Sequence, residues 1–175
     1  MNRDFKGNKL LMESYSYIVE NLKKCYMDGL SICFAGMNGT GKSMTATNIL
    51  KKTAQKNYTS LYSTLSDIVN VLTLSSSEDK FLARRELMMV DFLIVDEFDP
   101  KYISSTASSD LFGRTLEHLF RTRSQNKLPT IMCSNSPNPA ESFDGLIRDS
   151  INSLFHKMKI VPIIGSDFRK EKNKQ

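Results

Sequence analysis

Residues 30–43 read LSICFAGMNGTGKS, and this stretch decides the fold. It begins with a mostly apolar run, which is typical of a buried strand, and ends in the spacing G-x-x-x-x-G-K-S. Glycines let consecutive backbone N–H groups turn toward one point, in conformations that a Cβ would block. The sequence from Ser43 onward has apolar residues at Met44, Ile49 and Leu50 and then a basic end, as a helix prefers. Strand, glycine-rich loop and helix in this order predict a loop that binds phosphate groups.

This loop predicts a nucleotide site with a metal ion. Lys42 is expected to reach the β- and γ-phosphates, and the Ser43 hydroxyl is expected to ligate Mg²⁺. The positive N-terminal end of the following helix also favours an anion. The predicted nucleotide-binding residues are Gly36, Asn38, Gly39, Thr40, Gly41, Lys42, Ser43 and Met44. A flexible glycine turn before a helix is the alternative, and the complete motif in the right context argues against it.

Length and composition describe an ordinary globular chain. The sequence has 175 residues, of which 40% are apolar and 25% are charged, and this suits one α/β domain. No apolar run approaches the roughly 20 residues that a membrane helix needs. The N-terminus is polar and mixed in charge, unlike a secretory signal. Cys25, Cys33 and Cys133 lie far apart without metal-type spacing, so we expect reduced thiols and a cytoplasmic location.

Positive charge is distributed unevenly along the chain. The net charge is +5, and the tail RKEKNKQ has four basic residues against one acid. Arg114, Arg121, Arg123 and Lys127 lie in one stretch with Glu117 as its acid. A basic face of this kind can bind nucleic-acid phosphates. A solvated helix face and a frayed tail explain the same charges, and both interpretations stay open.

Apolar periodicity predicts alternating strands and helices. One helix is expected at 10–29, and a second directly follows the glycine loop. Further helices are expected at 66–74, 77–90, 109–127 and 141–157, with Ser66 as the N-cap of the 66–74 helix. Strands are expected at 31–35, 58–65, 91–99, 128–135 and 158–164. This order predicts an α/β fold with a mostly parallel, five-stranded sheet flanked by helices. We expect an N-terminal extension over 1–29, the nucleotide-binding domain over 30–165 and a basic tail over 166–175.

Two of the predicted strands end in polar side chains. In FLIVDE, Asp96 is expected to hold Mg²⁺ directly or through water, and Glu97 to orient and deprotonate an attacking water. In TIMCSN, Asn135 could hydrogen-bond a γ-phosphate or that water. The alternatives are a solvent-facing strand end for the acids and a cap of the turn before Pro137 for Asn135. Ligands of such sheets bind at the carboxyl ends of the strands, where all these groups are expected.

The motifs GMNGTGKS, FLIVDE and TIMCSN stand in the order of the Walker A, Walker B and sensor-1 elements, so the chain resembles the AAA+ ATPases. LYSTLSDIVNVL, LFRTRSQNKLPTIMCSN and GSDFR narrow the resemblance to helicase loaders of the DnaC type and transposition helpers of the IstB type. It covers roughly residues 30–169 and implies ATP-dependent assembly of several copies around single-stranded DNA. A replicative helicase or another DNA-processing protein is the implied partner. Arg121 and Arg123 would lie near subunit or DNA contacts.

The chain departs from this family pattern in three places. The arginine that relatives present to a neighbouring subunit's ATP would fall near Ser153, and Arg148 is the nearest candidate. The sequence after the last strand is too short for a full helical lid, so we expect the lid to be absent or minimal, with Arg169 as the nearest substitute for its arginine. We expect no separate helicase-binding domain before the first strand, because the sequence there is short. The N-terminal helix would then contact the partner, or the partner is different.

Three functions remain open at this stage. The first is an ATPase that resembles a helicase loader. The second is a nucleotide-gated adaptor or transposition helper with little turnover, which the departures favour. The third is a small-molecule phosphotransferase, which would need a lid with several arginines, and the Ser/Thr-rich sequence SSTASSD does not provide one.

Overall fold

A computed structural model describes residues 8–74, 77–102, 109–143, 145–156 and 158–165. The helices are α1 (Lys9–Glu20), α2 (Leu22–Asp28), α3 (Lys42–Gln55), α4 (Leu65–Leu74), α5 (Ser77–Met89), α6 (Ser109–Gln125) and α7 (Gly145–Phe155). The strands are β1 (Ser31–Gly36), β2 (Ser60–Thr64), β3 (Phe92–Asp96), β4 (Thr130–Ser134) and β5 (Lys159–Ile163). No helix within these ranges has both the length and the apolar character that a membrane span requires.

The strands form one parallel sheet in the order β2-β3-β4-β1-β5. Their carboxyl ends therefore all lie at the same edge, which we call the carboxyl edge, and the opposite edge is the amino edge. The glycine-rich loop follows β1, Asp96 ends β3 with Glu97 directly after it, and Asn135 follows β4, so the topology brings the predicted site residues to the carboxyl edge. The predicted five-stranded parallel sheet with flanking helices is confirmed.

Each face of the sheet carries its own apolar core, because successive side chains of a strand point to opposite faces. On β1, Ile32 and Phe34 pack with the residues of α1, α2 and α3. Cys33 and Ala35 pack on the other face with residues of α4, α5, α6 and α7. The strand next to the glycine-rich loop is thus held from both sides, which fixes where the loop begins.

The N-terminal helix is shorter than the sequence predicted. At Asn21 the chain leaves helical geometry (φ −113°, ψ 31°), which divides the predicted helix into α1 and α2. Helix α2 ends at Gly29, whose φ of 68° suits glycine, and a Cβ there would lie 2.7 Å from the Cα of Lys127. Leu11 and Ile18 of α1 are buried in the core on the α3 side, so this segment packs onto the sheet.

The start of α4 also differs from the prediction. The N-cap is Thr64, not Ser66: the backbone N–H of Asp67 donates to Thr64 Oγ1 at 3.1 Å, and the Thr64 N–H donates to Asp67 Oδ2 at 3.4 Å. This reciprocal pair is a capping box with aspartate in the third helical position. Thr64 is the last residue of β2, so the strand runs directly into the helix without a loop.

Candidate nucleotide-binding site

The glycine-rich loop has the backbone that its sequence predicted. Gly39 and Gly41 have φ values of 76° and 94°, which L side chains rarely adopt. Gly36 is required for a different reason, because a Cβ at this position would lie 2.1 Å from the carbonyl oxygen of Ile163 on the neighbouring strand. Substitution at any of these positions would therefore disturb the loop or its contact with β5.

Lys42 lies inside the loop and is only 4% exposed. Its ammonium donates hydrogen bonds to the carbonyl oxygens of Gly36 at 2.7 Å and Met37 at 2.6 Å. The Thr40 hydroxyl, also buried, lies 3.4 Å from the ammonium and donates to the Met37 carbonyl at 3.0 Å. The loop thus holds a positive charge at its centre, as a phosphate site requires.

The N-terminus of α3 is open to an anion. Its N-cap is Gly41, which has no side chain to accept from the first N–H groups, and the first turn contains no acidic residue. Ser43 and Met44 are exposed in that turn. The N–H groups at the start of α3, the Lys42 ammonium and the helix dipole all favour a bound phosphate, so the residues present fit a nucleoside triphosphate.

Glu97 occupies a bulge at the end of β3. The Leu93 N–H donates to the Pro129 carbonyl, so an uninterrupted ladder would pair the Glu97 N–H with the Cys133 carbonyl. Instead Phe98 donates to that carbonyl at 2.9 Å, which leaves Glu97 as an inserted residue. Its φ is 52°, a left-handed conformation that is uncommon outside glycine. Bulges of this kind redirect a side chain next to functional sites, and here the redirected side chain is the predicted base.

The carboxylate of Asp96 is buried and held at both oxygens. The residue is 6% exposed; its Oδ1 accepts the displaced Glu97 N–H at 2.8 Å, and its Oδ2 accepts the Tyr62 hydroxyl at 2.5 Å. Partial burial, followed by the bond to Asp96, raises the pKa of the Tyr62 phenol above its usual range, so this hydroxyl stays protonated and remains a donor. No motif in the sequence indicates Tyr62 as a site residue. Only the two-residue alternation of β2 could have placed it on the face of Asp96.

Ser43 and Asp96 offer a hydroxyl and a carboxylate oxygen, which are the ligand types that Mg²⁺ prefers. In the part of the chain that the structure describes, no group of three His, Cys, Asp or Glu side chains could hold a metal by itself. In a nucleotide site, Mg²⁺ usually takes only one or two protein carboxylates together with substrate phosphates and water, and Asp96 could supply one.

Asn135 is half-buried and follows β4 directly. The preceding residue, Ser134, is paired with Ala35, which comes just before the first glycine of the loop. Asn135 therefore follows the end of β4 at the point where β1 leads into the glycine-rich loop. The turn after it is supported by Ser134 Oγ, which accepts the Ser136 N–H at 3.1 Å.

The prediction that Arg123 contacts DNA or a neighbouring subunit is wrong, because the side chain is fully buried. Its guanidinium donates to the carbonyl oxygens of Leu87, Val90, Asp91 and Pro129 and to the Thr130 hydroxyl. Arg123 is thus a structural cation at the amino edge of the sheet. Arg123 lies seven residues after the buried Leu116, and this spacing returns to the same face of a helix. The helical spacing was therefore the one sign in the sequence that Arg123 is buried.

The remaining predicted arginines lie apart from one another. Arg121 is exposed and pairs with Glu117 one helical turn earlier. It lines a pocket of about 90 Å³ with Ser31 and Thr130, at the amino edge and thus opposite the glycine-rich loop. Arg148 is exposed on α7. Arg169 and the basic tail lie outside the described residues.

Among the described residues, Cys25, Cys33 and Cys133 are free thiols, and all three are buried. Burial raises the pKa of Cys33 to about 12 and that of Cys133 well above its usual range. Both side chains therefore remain protonated core residues.

The family of "IstB-like ATP binding protein" has a model that matches residues 14–175. Among solved structures, the replication initiator DnaA bound to AMPPCP and single-stranded DNA has a TM-score of 0.74 at 23% identity, covering 97% of this chain and 51% of that chain. DnaI has a TM-score of 0.73 at 17% identity, covering 94% of this chain and 88% of that chain. The DnaC helicase loader has a TM-score of 0.66 at 18% identity, covering 86% of each chain. The chain spans about half the length of the DnaA structure. No curated protein sequence matches it closely enough to be counted as a relative.

Proposed function

Since the chain belongs to the IstB-like ATP-binding protein family, we propose that it binds and hydrolyses ATP with Mg²⁺ and acts on DNA together with a partner protein. The resemblance to AAA+ ATPases of the DnaC and IstB type is confirmed by this match and by the shared fold of DnaI and DnaC. The observation that carries the hydrolysis step is the placement of the Lys42 loop and the Glu97 bulge at one edge of the sheet.

Each residue of the site has a separate role in the proposed reaction. The loop N–H groups and Lys42 bind the β- and γ-phosphates, and Ser43 and Asp96 hold the metal ion. When bound, Mg²⁺ offsets the charge that develops on the phosphate oxygens. Glu97 orients the attacking water and accepts its proton, and Asn135 hydrogen-bonds the γ-phosphate or the same water. The bulge supports the role of Glu97, because it removes this residue from the strand ladder.

The proposed partner is a replicative helicase or another DNA-processing protein, and single-stranded DNA is the proposed nucleic acid. Similar folds occur in a DnaA structure with single-stranded DNA and in a helicase loader, and the net charge of +5 is compatible with phosphate binding. Assembly of several copies in the ATP state would bring Arg148, which is exposed on α7, to the nucleotide of a neighbouring subunit.

A transposition-helper or adaptor function with little turnover is the second candidate, and the IstB-type family match favours it. The two candidates differ in how hydrolysis depends on assembly. Sites completed between subunits give turnover that rises steeply with protein concentration, whereas an adaptor binds ATP with little turnover.

Steady-state ATP hydrolysis should therefore be measured across protein concentration, with and without single-stranded DNA. Glu97→Gln provides the blank, since it should bind ATP but not turn it over. Arg148→Ala should lower turnover without lowering ATP affinity, and Arg114→Ala, which removes another exposed arginine, is the matched control. Flat turnover despite tight ATP binding would favour the adaptor, and absence of ATP binding would refute both candidates.

A further inference from the structure

Tyr62 connects the edge strand to the predicted metal ligand. In the register of β2 and β3, Tyr62 pairs with Ile94 and Thr64 pairs with Asp96. Tyr62 and Asp96 are therefore diagonal neighbours on one face of the sheet, and the Tyr62 hydroxyl donates to Asp96 Oδ2 at 2.5 Å. This is a hydrogen bond between residues far apart in sequence that joins two strands by their side chains.

The contact between Tyr62 and Asp96 satisfies the carboxylate and adds little to the packing of the apolar cores. Tyr62 is 41% exposed and belongs to neither apolar core, so its ring contributes little to either. Asp96 is 6% exposed, and among the described residues it takes part in no ion pair. A buried carboxylate without a cation depends on hydrogen-bond donors, and here the Tyr62 hydroxyl and the Glu97 N–H supply them.

The two donors also fix the plane of the carboxylate. One donor is a backbone N–H in the bulge, and the other is a phenol on a strand, so a rotation of the Asp96 side chain away from this position would break at least one of the two bonds. Each carboxylate oxygen can accept two hydrogen bonds, so one lone pair on each oxygen remains for other ligands. The orientation of those lone pairs is set before any ion binds.

We propose that Tyr62 is a positioning residue for Asp96, which it holds in the orientation that binds Mg²⁺ together with ATP. This inference rests on the proposed function, because it assigns Asp96 to the metal of the same site. It adds a residue of β2 to a site otherwise formed by the loop after β1 and by the ends of β3 and β4.

The test compares ATP binding by wild type and Tyr62→Phe in a Mg²⁺ titration and in EDTA. The substitution removes one hydroxyl and leaves the ring. The Mg²⁺ concentration for half-maximal enhancement of ATP binding should rise about three- to tenfold, the effect of one partly solvated hydrogen bond to a charged group. ATP affinity in EDTA should stay unchanged, since the hydroxyl is not assigned to the phosphates.

Two further variants separate positioning from a structural effect. Tyr17→Phe removes a hydroxyl from a tyrosine that is 52% exposed on α1, and it should leave the Mg²⁺ requirement unchanged. In an Asp96→Asn background, Tyr62→Phe should no longer shift the Mg²⁺ requirement. A structural defect from Tyr62→Phe would persist in that background, and such persistence would overturn the assignment.

The outcomes also distinguish this inference from the function on which it rests. If wild type binds ATP with Mg²⁺ and Tyr62→Phe has the same Mg²⁺ requirement or a lower one, the inference fails and the proposed function stands. If wild type shows no Mg²⁺-dependent ATP binding, both fail.

Discussion

Replacing Arg123 by alanine should destabilise the domain strongly, although its sequence context suggests a surface cation. The side chain caps the last turn of α5, where helix carbonyls lack partners, by donating to Leu87 at 2.8 Å and to Val90 at 2.9 Å. It also donates to Pro129 at 2.7 Å, just before β4. One guanidinium thus joins a helix end to the start of a strand.

The magnitude follows from these three short bonds. A buried carbonyl that loses its donor costs about 1–3 kcal/mol, so three of them at the lower end give about 3 kcal/mol. Two terms act in opposite directions: the cavity left by the side chain adds to the cost, and relief from burying a charge subtracts from it. Burial lowers the pKa of Arg123 to about 10, so the charge is present at neutral pH. We expect a net loss of about 2–4 kcal/mol in the free energy of unfolding.

Equilibrium unfolding in urea at pH 7 measures this loss. Circular dichroism is the suitable signal, because the sequence contains no tryptophan whose fluorescence could report unfolding. Nucleotide must be left out, since a ligand that binds only the folded state would hide part of the effect. For a chain of this size, a loss of about 3 kcal/mol corresponds to roughly 6–12 °C in melting temperature.

Arg121→Ala is the matched control. It removes the same type of side chain two residues earlier on α6, where the group is exposed and forms an ion pair with Glu117. Exposed ion pairs of this kind contribute about 0–1 kcal/mol. If Arg123→Ala costs no more than Arg121→Ala, the structural role of Arg123 is refuted. If it leaves stability intact but abolishes DNA binding, the original surface interpretation is restored.

Two further predictions concern the loop and the start of α4. Lys42→Ala should reduce ATP affinity at least about tenfold, because the phosphate charge loses its cation; titration with ATP checks this, and unchanged affinity would contradict the phosphate-site assignment. Thr64→Ala should lower the free energy of unfolding by about 1 kcal/mol through loss of the cap, whereas Ser66→Ala should change it much less. Equal effects in urea unfolding would contradict the assignment of Thr64 as the N-cap.

Local patterns were sufficient to predict much of the fold. The glycine loop, the apolar strands and the acids at the end of β3 can be recognised because each depends on residues that are neighbours in sequence. A parallel sheet then brings the carboxyl ends of its strands together whatever the details of their side chains. This is why the sequence alone predicts Lys42, Asp96 and Asn135 at one edge.

The features that the sequence did not predict depend on contacts between distant segments. The Glu97 bulge is defined by the hydrogen-bond register between β3 and β4, and no residue within FLIVDE indicates it. Arg123 looked like part of a basic face because its neighbours on both sides in sequence include exposed cations. Its buried partners come from the end of α5 and the starts of β3 and β4, and only the helical spacing from Leu116 hinted at them.

The strand β3 is anchored at both ends, and this links the stability of the fold to the geometry of the site. At the amino edge, Asp91 Oδ2 accepts both the N–H and the hydroxyl of Thr59 at 2.8 Å, and the Asp91 N–H donates to Thr59 Oγ1 at 3.0 Å. These bonds fix the register of β2 against β3. A slip of one residue would turn Tyr62 to the opposite face and separate its hydroxyl from Asp96, because side chains alternate along a strand. Residues at the amino edge therefore contribute to the proposed metal site at the other edge without touching it.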